Sequence, residues 1–104
     1  MEIIHATEEN FEKEISYQGT VLIDFFANWC GPCKMLSPIL EGVALKKEDL
    51  KIIKVNVDEC PALAKTYGIM SIPNLVLLKE GKQVSSQVGF VPEEDLIRWI
   101  DEAK

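Results

Sequence analysis

The run Val21-Leu22-Ile23-Asp24-Phe25-Phe26-Ala27 constrains the fold more than any other segment, because it is apolar without alternation and its one polar member is a carboxylic acid. A half-exposed strand alternates apolar and polar side chains, whereas an unbroken run needs cover on both faces. The segment therefore predicts a central strand sandwiched between helices.

The rest of the chain supplies those layers. After Cys33, Leu36, Ile39, Leu40 and Val43 recur at helical spacing and predict a long helix to about Lys47. Pro38 falls inside it; lacking the N–H that would bond the Lys34 carbonyl, it predicts a kink rather than a stop. Ile3 and Ile4 read as a brief strand, and Thr7 followed by Glu8 and Glu9 as the N-cap and acidic first turn of a short helix to about Tyr17. Ile52 to Val57 is strand-like, and Pro61 to Tyr67, ahead of Gly68, reads as a short helix with proline in its first turn and glycine past its end. Leu75 to Leu78, a turn through Glu80-Gly81 and Gln83 to Val88 predict a hairpin, and Leu96, Ile97, Ile100 and Ala103 share one face of a last helix. Alternating strands and helices followed by a hairpin predict an α/β sheet with helices on both faces. At 104 residues, with no repeat or flexible linker, one domain over residues 1–104 is expected.

Charge and cysteine content narrow the function. A net charge of −6 and a pI near 4.7 argue against nucleic acid, whose phosphates call for a basic patch. The longest apolar run, Val21 to Ala27, is too short to span a bilayer, and Met1-Glu2-Ile3-Ile4-His5 lacks the pattern of a secretory signal, so a cytoplasmic protein without membrane contact is expected. Three cysteines do not suit a disulfide scaffold, and in a reducing compartment a C-x-x-C pair is reactive or metal-bound.

Trp29-Cys30-Gly31-Pro32-Cys33 joins the end of the central strand to the start of the long helix, with Pro32 suited to its first position. Unpaired N–H groups and the helix dipole favour an anion there, so the more exposed thiol should be acidified. Cys30, nearer the cap, is assigned as the attacking nucleophile and Cys33, inside the first turn, as the resolving thiol. Half of a zinc site, or a purely structural pair, are the alternatives; beyond the pair the chain offers only Cys60 and His5, so no metal site is expected. Asp24 is the second chemical feature, since desolvation in an apolar strand disfavours its charged form and raises its pKa toward proton transfer. Cys60 precedes Pro61 at a helix start, where a thiol could be exposed and acidified; with no partner cysteine nearby, a small residue at a cap is the preferred reading.

The segment from Asp24 through Trp29-Cys30-Gly31-Pro32-Cys33 to Lys34-Met35 resembles the active-site segment of the thioredoxin family. The resemblance covers essentially the whole chain, through Pro38, Asn56-Val57-Asp58, Tyr67-Gly68-Ile69, Ile72-Pro73, Gly81 and Gly89. It implies a thioredoxin fold, a central mixed five-stranded sheet flanked by four helices, and a general protein-disulfide reductase that needs no bound cofactor. It further implies that Asp24 is the general base for Cys33, that Lys54 on an adjacent strand modulates Asp24, and that Pro73 is cis and faces the cysteines. Trp29, Gly31, Pro32, Ile72, Gly89 and Phe90 would form the substrate-docking face. The partners implied are disulfide-containing proteins and a thioredoxin reductase, either NADPH- or ferredoxin-linked, acting on a monomer that carries electrons.

Two rivals stay open: an oxidase or isomerase with the chemistry reversed, against which Gly31-Pro32 argues, and a thiol-independent binding module. The chain departs from the usual family pattern at Phe26 where Trp is common, at Asn74 where Thr is common, and at Met70-Ser71 where a cation and glycine are common. Residues 70–74 border the docking face, so these changes bear on partner choice.

Overall fold

The computed structural model describes residues 2–103. The expected single domain over 1–104 includes Met1 and Lys104, which lie outside the described residues. Nine elements follow in order: β1 (Ile3–His5), α1 (Phe11–Ile15), β2 (Thr20–Phe26), α2 (Gly31–Lys46), β3 (Leu50–Asn56), α3 (Pro61–Thr66), β4 (Asn74–Lys79), β5 (Lys82–Val88) and α4 (Glu93–Glu102).

The strands form one sheet in the order β1-β3-β2-β4-β5. β1, β3 and β2 run parallel, while β4 is antiparallel to β2 and β5 to β4, so the sheet is mixed as expected. β2 lies at its centre, and every residue from Val21 to Phe25 is buried. Alternation then divides the core. Leu22 joins Leu36, Leu40, Val43, Leu96 and Ile100 on the side covered by α2 and α4, whereas Val21, Ile23 and Phe25 join Phe11, Ile53 and Val55 on the α1 and α3 side. An unbroken apolar strand is what two such cores require.

Local chemistry explains where boundaries differ from expectation. Thr7 and Asn10 bond reciprocally, Thr7 N–H donating to Asn10 Oδ1 at 2.7 Å and Asn10 N–H to Thr7 Oγ1 at 3.2 Å, and this capped turn leads into regular helix only at Phe11. The helix also stops early, at Ile15, where the Ser16 hydroxyl takes the Glu12 carbonyl. α2 runs on past Pro38 to Lys46, with the proline on its exposed side, where water can reach the unpaired carbonyl. The β4–β5 hairpin closes through Glu80 and Gly81, at φ +52° and +82°, the two-residue turn that matches the right-handed twist of its strands. α4 is held against the sheet by Leu96 and Ile100, and the Trp99 indole N–H donates to Ser85 Oγ at 3.0 Å.

Candidate active site

Cys30 caps α2. Its backbone is extended (φ −89°, ψ 112°), and its Sγ accepts the Cys33 N–H at 3.2 Å, which satisfies one of the orphan donors at the helix start. The helix begins at Gly31, so Pro32 occupies its second position rather than the first, still within the turn whose N–H groups lack partners. Cys30 and Cys33 are joined as a disulfide with their Cα atoms 5.3 Å apart.

Cys30 was expected to be the more exposed thiol, but both cysteines are buried alike, at 4 % and 3 %. Accessibility therefore does not separate them in the oxidised state. Their backbone positions do, because the Cys33 N–H points at Cys30 sulfur and would favour a thiolate there once the bond is reduced. The pair packs with Ala27 against Phe26, Val57 and Ile72, an apolar setting that excludes water from the exchanging sulfurs.

Asp24 lies on β2, in register with Lys54 of β3 and Leu75 of β4, and is fully buried. Strand alternation puts its side chain with Leu22 on the α2 side of the sheet. Among the described residues neither carboxylate oxygen has a hydrogen-bond partner. Burial pushes its pKa up to about 6, and the Lys54 ammonium pulls the other way. Lys54 makes no direct bond to it: Nζ donates to Ser37 Oγ at 2.8 Å and sits 4.7 Å from the centre of the Phe26 ring. Lys54, Ser37, Phe26, Ala27, Asn28 and Lys34 line a cleft of about 220 Å³ that Cys33 also lines.

Around the pair, Trp29 is 71 % exposed although its indole N–H donates to Asp58 Oδ2 at 2.9 Å. That bond fixes a large apolar ring at the rim of the site. Gly31 and Pro32 are exposed beside it. The Ile72-Pro73 peptide is cis, as the resemblance implied. Ile72 packs on the cysteine cluster, and the Pro73 carbonyl accepts the Gly89 N–H at 2.8 Å, which ties the segment bearing exposed Phe90 to the same end of the sheet. Gly89 takes φ +100°, a conformation only glycine adopts freely. Met70 is almost fully exposed on the approach to Pro73.

Two participants escaped the sequence reading of roles. Asp58 anchors Trp29, and an Asx turn holds its loop, with Asn56 Oδ1 accepting the Asp58 and Glu59 N–H groups at 2.9 and 3.3 Å. The Asn-x-Asp spacing at the end of a strand was the available signal. Ser37 carried no signal at all.

The acidified, exposed alternative for Cys60 is overturned: it is 3 % exposed and burial pushes its thiol up, with Glu8 and Glu59 adding to the rise. It caps α3 as a small buried residue whose Sγ lies 3.9 Å from the Ala6 carbonyl. Among the described residues no group of three metal-ligating side chains gathers, and no helix is long and apolar enough to cross a membrane.

The Thioredoxin family model matches residues 2–102. A thioredoxin of Bacillus subtilis strain 168 is 50% identical over 102 residues, covering 97% of each chain. A thioredoxin of Chlamydia caviae is 51% identical over 97 residues, covering 93% of this chain and 94% of its own. Among solved structures, a mutant thioredoxin from Halobacterium salinarum NRC-1 superposes with a TM-score of 0.89 at 39% identity, over 96% of this chain and 88% of that one.

Proposed function

The chain belongs to the thioredoxin family and is a thiol–disulfide oxidoreductase, and from that premise we propose that it works as a general protein-disulfide reductase with Cys30 attacking and Cys33 resolving. The observation that carries this reading is the Cys33 N–H bonded to Cys30 sulfur at the start of a sixteen-residue helix, which gives one of the two sulfurs a donor and a favourable dipole.

The reaction runs in two exchanges. Cys30 thiolate attacks one sulfur of a substrate disulfide; a Cys30–substrate bond forms and the other substrate sulfur leaves as a thiolate. Cys33 then gives its proton to Asp24 and attacks Cys30 sulfur. The Cys30–Cys33 bond forms, the second substrate sulfur leaves and takes a proton, and two electrons have passed to the substrate. Asp24 is suited to the base role because a carboxyl raised to about 6 holds a proton more readily than an ordinary one yet is mostly ionised at neutral pH. Lys54 tunes it by charge rather than by contact.

Trp29, Gly31, Pro32, Ile72, Pro73, Gly89 and Phe90 form the docking face for an extended substrate segment. Outside the molecule, a thioredoxin reductase, NADPH- or ferredoxin-linked, returns electrons to the Cys30–Cys33 disulfide. The protein acts as a cytoplasmic, monomeric, single-domain electron carrier, a setting in which a dithiol can be kept reduced. A disulfide-reduction assay driven through candidate reductases tests the reading. Turnover that vanishes in Cys30→Ser is expected; turnover that survives would contradict it.

A further inference from the structure

We infer that Ser37 is a positioning residue of the second exchange: its hydroxyl holds the Lys54 ammonium at the cleft beside Cys33, at a set distance from the Asp24 carboxyl. The inference rests on the proposed base role of Asp24 and adds a residue to it. Two contacts and a shared cleft carry it. Lys54 Nζ donates to Ser37 Oγ at 2.8 Å, its charge lies 4.7 Å from the centre of the Phe26 ring, and all three residues line the cleft that Cys33 also lines.

A lysine side chain has four freely rotating bonds, so its charge has a defined effect on a neighbour only where something fixes it. Phe26 attracts the ammonium without choosing a position along the ring face. The Ser37 hydroxyl is directional, and it projects from α2, the helix that carries Cys33. Helix, lysine and carboxyl are thereby coupled across β2 and β3.

Titratable and charged neighbours come from three elements: β3 places Lys54 in register with Asp24, β1 places His5 in register with Lys54, and α2 brings Cys33 and Lys34 to the cleft that Lys54 lines, while β4 sets apolar Leu75 beside the acid. The Lys54 charge acts on the carboxyl, lowering the pKa that burial has raised. Without the serine hydroxyl, the ammonium exchanges its partner for water at the open cleft, its mean distance from Asp24 grows, and its attraction is screened. The carboxyl then rises further above 6.

The test uses the oxidised protein, in which the disulfide cysteines do not titrate. The ¹³C carboxyl signal of Asp24, identified by its loss in Asp24→Asn, is followed against pH in wild type, Ser37→Ala and Ser37→Thr. The alanine variant should move the midpoint upward by about half a unit, and the threonine variant, which keeps a hydroxyl, should restore it. Alanine is the better helix former, so a folding defect is not expected to confuse the result. An unchanged or lowered midpoint in Ser37→Ala would overturn the assignment. The pH profile of mixed-disulfide resolution should move by the same amount, a fall of about twofold near pH 6. A moved carboxyl midpoint with an unmoved rate profile would instead overturn the base role of Asp24, and with it the place of Ser37 in the reaction.

Discussion

Asp24 sets the clearest cost at the scale of a single residue. Its folded pKa of about 6 lies above the ordinary value of 3.8, so between those limits the folded state holds a proton that the unfolded chain releases. Stability from the neutral carboxyl is full below pH 3.8 and is lost as pH rises through about 6, a difference of about 3 kcal/mol at ~1.4 kcal/mol per unit. Asp24→Asn, which cannot ionise, should be more stable than wild type at pH 7.5 by about 1–3 kcal/mol, with the gap closing toward pH 4. Denaturant unfolding at the two pH values checks this; a variant less stable at pH 7.5 would contradict it. Cys60 supplies a contrasting case. It is as buried as Cys30, but its thiol is raised while Cys30 sulfur has the Cys33 N–H as a donor, so in the folded, reduced protein at neutral pH it should resist alkylation while Cys30 reacts, and mass mapping of the labelled cysteines reads the difference.

Elements turn these residues into a site, and they also show what can be read before folding. β2 was legible because two-sided burial leaves an unbroken apolar run, and α2 because its apolar spacing follows directly on the cysteine loop. Asp24 stood out as the one acid in that run. By contrast, the Lys54–Ser37 bond joins a strand to a helix seventeen positions away and depends on the pitch at which α2 crosses the sheet, which no local pattern encodes. The equal burial of the two cysteines was hidden for a similar reason, since Ile72 and Val57 arrive from other loops to cover them. The α2–α4 packing offers a measurement of its own. A Cβ on Gly42 would run into the end of the Glu93 side chain, which pairs with Lys46. Glu93 is flexible and the pair is partly exposed, worth up to about 1 kcal/mol, while alanine gains about 1 kcal/mol over glycine inside a helix. Gly42→Ala should therefore melt at the same temperature as wild type or up to about 6 °C higher. A lower melting temperature would show that Glu93 cannot move aside.

Across the whole molecule, one sheet separates two cores and leaves the chemistry at one end, where the loops after β2 and β3 meet the Ile72-Pro73 segment. Trp29, Met70 and Phe90 are exposed near that end while the disulfide itself is covered, so a short apolar rim borders it. Met70, standing where the family commonly carries a cation, lowers positive charge on a chain already at −6 and should weaken any preference for acidic targets. Reduction of a substrate depends on the division of labour between the two sulfurs. Reduced Cys33→Ser protein, mixed with a disulfide-bonded protein substrate, tests it most directly by peptide mapping of the product. A long-lived one-to-one adduct joined through Cys30 is expected, with Cys60 unmodified. An adduct through Cys60, or no adduct under conditions in which wild type turns over, would contradict it.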